Sequence, residues 1–185
     1  MKDRQIAIGA QLPEFGALPA ADGRKYSVDD FLGAKVLVVV FSCNHCPYVQ
    51  AYEERMVAFQ KEYAPRGVRL VAVNANESEH YPEDNLAEMV KRAKARGFNF
   101  PYLRDEDQSV AASFGATHTP EFFAFAREAS GGAFRLAYSG KMDDNHQNSS
   151  AVKRRYLEEA VDAMLGGKPV KEPETYSIGC TIKWK

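Results

Sequence analysis

Cysteine is scarce in this chain, with three among 185 residues, and tryptophan occurs once. Three thiols cannot staple a small disulfide framework, and an odd count leaves one over. No excess of either charge is present, since 24 basic and 25 acidic residues give a net charge of −1. That balance offers no broad field for nucleic acid or an anionic membrane, so neither is expected as a partner. No apolar run is long enough to span a bilayer, and Met1-Lys2-Asp3-Arg4-Gln5 is not followed by the apolar core of a signal peptide. The expected setting is therefore the cytoplasm.

What the chain does have is an ordinary globular composition, 45% hydrophobic and 26% charged, enough to close one core. We read one domain over 1–185, with a core of about 6–165 and a tail of 166–185. Gly9, Pro13, Gly16 and Pro19 mark an irregular lead-in, and Ala20-Ala21-Asp22-Gly23 reads as a hairpin turn. Ser27 to Phe31 reads as a capped helical turn. Val36-Leu37-Val38-Val39-Val40-Phe41 is continuously apolar and mostly β-branched, the pattern of a strand covered on both faces.

The strand runs into Ser42-Cys43-Asn44-His45-Cys46-Pro47. Beyond it Tyr52, Met56, Phe59 and Tyr63 recur at helical spacing. Pro65-Arg66-Gly67 stops that helix, and Val68 to Val73 is a second buried strand, parallel to the first because a helix crosses between them. A helix is expected from about 82 to 96 with Leu86, Met89, Val90 and Ala93 inside. A shorter one is expected from 105 to 115 with Val110 and Phe114 inward.

Thr119-Pro120 leads into Glu121 to Phe125, a strand that returns through Ser130-Gly131-Gly132 as Ala133 to Tyr138. Gly140 to Ser150 reads as polar loop, and 151–165 as the last long helix. In the tail Ile178, Cys180, Ile182 and Trp184 alternate, which predicts an extended segment laying that face on the body.

Taken together, strand, Cys-x-x-Cys, helix, strand, helix, Thr-Pro, hairpin and helix resemble the thioredoxin-like fold. The segment from Gly9 to Arg24 and the additional helix near 82–96 are similar to the redoxin branch, which holds alkyl-hydroperoxide-reductase-like and TlpA-like proteins. The resemblance implies an α/β fold with a central mixed sheet flanked by helices, an N-terminal extension and an inserted helix. It also implies a thiol-disulfide oxidoreductase, with a thiol or disulfide of a protein or small molecule as partner and no cofactor.

Cys43, the earlier cysteine, is expected to be the nucleophile near a helix N-terminus, where a thiolate is favoured. Cys46 is then the resolving thiol. Because Pro47 restricts the residue before it, the regular helix can begin as late as Pro47, which leaves Cys43 on the preceding turn. Asn44 and His45 tune the pair, and a protonated His45 would make it more oxidising. The resemblance implies a cis Pro120 beside the disulfide, with Thr119 as a substrate contact. His118 and Glu121 are the nearest candidates for proton transfer. Cys180 is open to three roles: an inert docked thiol, a third redox thiol, or an intermolecular or metal link.

The sequence also departs from these relatives. Leu37 stands where thioredoxins carry a buried Asp, and Ser42 where they carry Trp. The peroxiredoxin pattern Pro-x-x-x-Thr/Ser-x-x-Cys is unmatched, with Val36 and Val40 before Cys43, and Val39 and Cys43 before Cys46. A thiol-dependent peroxidase is the nearest enzymatic alternative. A metal module built on Cys43 and Cys46, with one or two of His45, His118 and Cys180, is another.

Overall fold

The computed structural model describes residues 5–185. Two short strands, β1 (Leu18–Pro19) and β2 (Lys25–Tyr26), pair antiparallel around Asp22-Gly23. The turn requires glycine because Gly23 sits at φ +83°, a region that costs other residues steric clash. A 3-10 turn over Val28–Phe31 follows, its start held by the Ser27 amide donating to the Asp30 carboxylate at 2.8 Å.

Strand β3 (Val36–Phe41) is the centre of the molecule, and all six of its residues are buried. Side chains alternate across a strand, so both faces of β3 need cover. Val36, Val38 and Val40 enter one hydrophobic cluster, and Leu37, Val39 and Phe41 enter another. The first cluster is closed by Tyr52, Met56, Phe59 and Tyr63 of α1 (Pro47–Tyr63), Met89 of α2 (Leu86–Arg96), and Leu157, Ala160 and Val161 of α4 (Tyr156–Leu165). The second is closed by Val110, Ala111 and Phe114 of α3 (Ser109–Phe114) and by the lead-in residues Leu12, Phe15 and Phe31.

The remaining strands are β4 (Val68–Asn74), β5 (Tyr102–Arg104), β6 (His118–Thr119), β7 (Glu121–Arg127), β8 (Phe134–Gly140) and β9 (Cys180–Thr181). Four of them join β3 in one five-stranded sheet, in the order β5-β4-β3-β7-β8. Strand β4 runs parallel to β3 and β5 parallel to β4, whereas β7 and β8 run antiparallel. This mixed sheet flanked by helices is the thioredoxin-like arrangement that the sequence implied. Strand β6 stands apart and pairs only with β9. No helix of the described residues is long and apolar enough to cross a membrane.

Four local readings change. The helix expected from 82 is broken: Pro82–Asp84 is a 3-10 turn, Asn85 is extended, and α2 starts at Leu86 with the Asn85 side chain accepting from the Glu88 amide at 2.9 Å. Val90 is 42% exposed, because α2 buries only the narrow stripe of Leu86, Met89 and Ala93 at the sheet edge. The last helix begins at Tyr156 and not at 151. Asp144 donates its amide to the Arg154 carbonyl and accepts from the Lys153 amide, which holds the intervening chain extended. In the tail Ile182 is buried and Cys180 half-buried, but Ile178 and Trp184 are 48% and 47% exposed. Strand β5 was not foreseen, since three residues carry too little alternation to register as a strand.

Candidate active site

The pair sits where β3 hands over to α1. Ser42 still donates to the Val73 carbonyl at 2.8 Å, so the sheet ladder ends one residue before Cys43. Cys46 is the N-cap of α1 with extended backbone, and Pro47 occupies the first helical position. Proline is suited there because its missing N–H would have no partner in any case. The helix therefore begins after the second cysteine, and the partial positive charge of its free N–H groups falls on Cys46, not Cys43.

Between the cysteines, Asn44 is fixed from four sides. Its amide donates to Asp84 Oδ1 at 2.6 Å, and its side-chain nitrogen donates to the Glu83 carbonyl at 2.7 Å. Its carbonyl accepts from Gln50 Nε2 at 2.8 Å, and its Oδ1 accepts from the Tyr102 hydroxyl at 2.9 Å. Asn44 thus sets the shape of the turn. His45 Nδ1 lies against Asp84 Oδ2 and 3.7 Å from Glu83 Oε1, yet it makes no hydrogen bond of proper angle.

Asp84 is the residue that sequence reasoning missed. It is 0% exposed, and besides Asn44 it accepts from Asn74 Nδ2 at 3.1 Å and Asn76 Nδ2 at 3.0 Å. A buried carboxylate survives only with such donors. Hidden inside what reads as continuous helix, it carried one signal: Asp84-Asn85 before Leu86 is a capping pair. Leu37 can offer the site no carboxylate, and Asp84 brings one from the turn that precedes α2. One ligand atom each of Cys43, His45 and Asp84 lie within 4.8 Å of one another, a thiolate, imidazole and carboxylate set that suits zinc.

Cys43 and Cys46 are 2% and 0% exposed. Cys43 Sγ lies 3.4 Å from Thr119 Oγ1. Cys46 Sγ lies 3.3 Å from the Thr119 carbonyl oxygen, to which it donates when protonated, and 2.8 Å from Cys180 Sγ. The Thr119–Pro120 peptide is cis, in keeping with the resemblance. All three cysteines are free thiols.

The pair divides one proton unevenly. Cys46 is held as thiolate well below its ordinary range, first by the Cys43 thiol donating to it, then by the Cys180 thiol and the Val49 amide, which together outweigh burial. Cys43 is pushed far up by the same shared hydrogen bond, by burial and by the Asp84 charge. Cys180 is raised by burial and by its bond to Cys46. The shared hydrogen bond thus lowers Cys46 and raises Cys43.

Glu121 and His118 stand back from this exchange. Buried Glu121 accepts from the Thr117 amide at 2.8 Å, the His118 amide at 3.3 Å and Gln5 Nε2 at 3.0 Å. Burial raises its carboxyl. His118 Nδ1 shares a 2.8 Å hydrogen bond with Thr117 Oγ1. Neither makes a hydrogen bond to a cysteine sulfur among the described contacts.

Comparison with known proteins fits this geometry. The sequence profile of the AhpC/TSA family matches residues 8–138. A hypothetical protein from Sinorhizobium meliloti 1021 is 39% identical, with 98% of this chain and 96% of that one covered and a TM-score of 0.88. An uncharacterized conserved protein from Geobacillus kaustophilus is 40% identical over 97% and 93%, also at 0.88. A structure described as a putative thiol:disulfide interchange protein DsbE from Chlorobium tepidum shares the fold at 21% identity, 88% and 100% coverage and a TM-score of 0.62. Curated proteins give no match.

Proposed function

From the premise that the chain belongs to the AhpC/TSA family, we propose that it is a thiol-disulfide oxidoreductase cycling Cys43 and Cys46 between dithiol and disulfide. One observation carries the reading: both sulfurs lie against the residue that precedes a cis proline, Cys43 on its hydroxyl and Cys46 on its carbonyl. A thiolate favoured at the helix start attacks an incoming disulfide, and the neighbouring thiol resolves the mixed disulfide. Thr119 and Pro120 form the substrate wall, Asn44 shapes the turn, and His45 with Asp84 sets the local charge. Substrates are thiols or disulfides of proteins or small molecules.

The test is a redox titration in graded glutathione with alkylation and mass mapping of each cysteine. A two-electron transition on Cys43 and Cys46, with a midpoint more positive than about −270 mV, is the expected result. Cysteines that stay unreactive until a chelator is added would replace this reading by metal binding at Cys43, His45 and Asp84.

Family membership also favours a second reading, a thiol-dependent peroxidase. Against it stand the unmatched peroxiredoxin pattern and the burial of both sulfurs. Consumption of hydrogen peroxide by the reduced protein at a rate above that of free cysteine would decide for it.

A further inference from the structure

The tail occupies the site. Strand β9 pairs antiparallel with β6, placing Cys180 opposite Thr119 and Thr181 opposite His118. The Ile182 amide continues the ladder to the Thr117 carbonyl at 2.9 Å. Lys183 locks it from the far side: its carbonyl accepts from the Glu77 amide and from Gln108 Nε2, and its amide donates to Asn76 Oδ1. Asn76 also donates to Asp84, so the tail anchor and the cysteine turn share one hydrogen-bond network.

Gly179 shows how close the approach is. A Cβ added there would overlap the carbonyl group of Thr119 and crowd the nitrogen of Pro120. Only glycine lets the tail backbone lie on that peptide. The same packing carries Cys180 Sγ to 2.8 Å from Cys46 Sγ, not far beyond the about 2.05 Å of a covalent S–S bond. Of the three cysteines, Cys180 alone is half-buried, the other two being fully covered.

We propose that the tail is a built-in exchange partner, with Cys180 passing the disulfide from the buried pair out to external thiols. This rests on the oxidoreductase reading and extends it to a third thiol and a route. An external disulfide first oxidises Cys43 and Cys46 and leaves as two thiols. The Cys180 thiolate then attacks Cys46 Sγ. The Cys46–Cys180 bond forms, the Cys43–Cys46 bond breaks, and the electron pair departs on Cys43, which takes up a proton. No electrons are gained or lost in that exchange.

An external thiolate next attacks the half-buried Cys180 sulfur, and Cys46 leaves as the thiolate that the helix start and its hydrogen bonds already stabilise. Low-pKa thiols leave faster, so the arrangement suits discharge through Cys180. A second external thiolate completes the release, forming the external disulfide and returning Cys180. While β9 is docked, a partner peptide has no open backbone on β6 to pair with.

The experiment oxidises the full chain with stoichiometric oxidised glutathione and maps disulfides by non-reducing digestion and mass spectrometry, in wild type, Cys43→Ser, Cys180→Ser and Gly179→Ala. The inference expects an intramolecular Cys46–Cys180 link as the main product of Cys43→Ser. Gly179→Ala, with the helix content unchanged by circular dichroism, should lower the wild-type yield of that link about tenfold by removing the local concentration of Cys180. Cys43→Ser giving only glutathione adducts or intermolecular dimers overturns the inference, as does an undiminished link in Gly179→Ala. Cys180→Ser separates the two readings. If it still forms Cys43–Cys46 while Cys43→Ser forms no internal bond, the tail proposal alone fails. If it forms no Cys43–Cys46 bond, the underlying oxidoreductase cycle fails.

Discussion

Replacing Asp84 by Asn tests how the cysteine turn is held. The carboxylate is fully buried and accepts from the Asn44 amide at 2.6 Å, Asn76 Nδ2 at 3.0 Å and Asn74 Nδ2 at 3.1 Å. Hydrogen bonds to a charged group contribute about 1.5 to 3 kcal/mol each. An amide of the same shape has one acceptor oxygen, so it can keep part of the set, while its NH2 faces donors it cannot satisfy. Removing a buried charge recovers desolvation, which offsets some of this loss. With one charge-assisted bond lost outright and two weakened, the net cost is about 2 to 4 kcal/mol. For a chain of this size that is a fall in Tm of about 4 to 16 °C, at 2 to 4 °C per kcal/mol.

Urea unfolding of the reduced protein measures the cost, and the rate of Cys43 alkylation in the folded state measures the local effect. Because the Asn44 amide keeps only a weaker bond to a neutral oxygen, alkylation should quicken even well below the unfolding transition. A variant within about 0.5 kcal/mol of wild type, with Cys43 equally protected, would refute the reasoning that Asp84 holds the turn.

Other substitutions read other parts of the molecule. Thiolate absorbance at 240 nm in the reduced protein should persist at pH 6, where an ordinary cysteine of pKa about 8.5 is protonated. The signal should vanish in Cys46→Ser and shrink in Cys43→Ser, which loses the donated hydrogen bond. Burial raises the Glu121 carboxyl, so the folded state binds its proton more tightly than the unfolded chain. That contribution is fully present below the unfolded value of about 4.3 and is lost as pH rises through the folded one. Glu121→Gln should therefore be more stable than wild type at pH 7, with the difference gone near pH 4 in paired denaturation curves. Asp143, paired with Arg55 at 2.7 Å and also bonded by the Tyr52 hydroxyl, anchors the 140s loop to α1. Asp143→Ala takes the carboxylate from a largely buried guanidinium that keeps the Asn145 and His146 carbonyls, and should cost about 3 kcal/mol, the lower end for a broken buried pair, by urea unfolding.

The sequence determined a good deal by itself. Six apolar residues in a row required a strand covered on both sides, and the 52-56-59-63 stripe required a helix on one of them. Cys-x-x-Cys at their junction, followed far downstream by Thr-Pro, carried the resemblance that implied one site for both cysteines and the proline. These are local patterns, or patterns of order along the chain, and the chain spells them out.

Only the tertiary structure decided what surrounds the sulfurs. Asp84 comes from a turn 40 residues downstream of Asn44, and periodicity cannot show that a carboxylate within a helical stretch points back into the core. Pro47 left room for a late helix start, but the hydrogen bond that lowers Cys46 and raises Cys43 depends on side-chain contacts. Alternation in the tail foretold an extended segment with that face inward, yet only the stretch beside β6 keeps to it: Cys180 and Ile182 turn inward, while Ile178 and Trp184 at its ends stay exposed. Cys46 and Cys180 stand 134 positions apart, and the chain between them carries no local signal of their contact, because pairing across a fold depends on the packing of every element between.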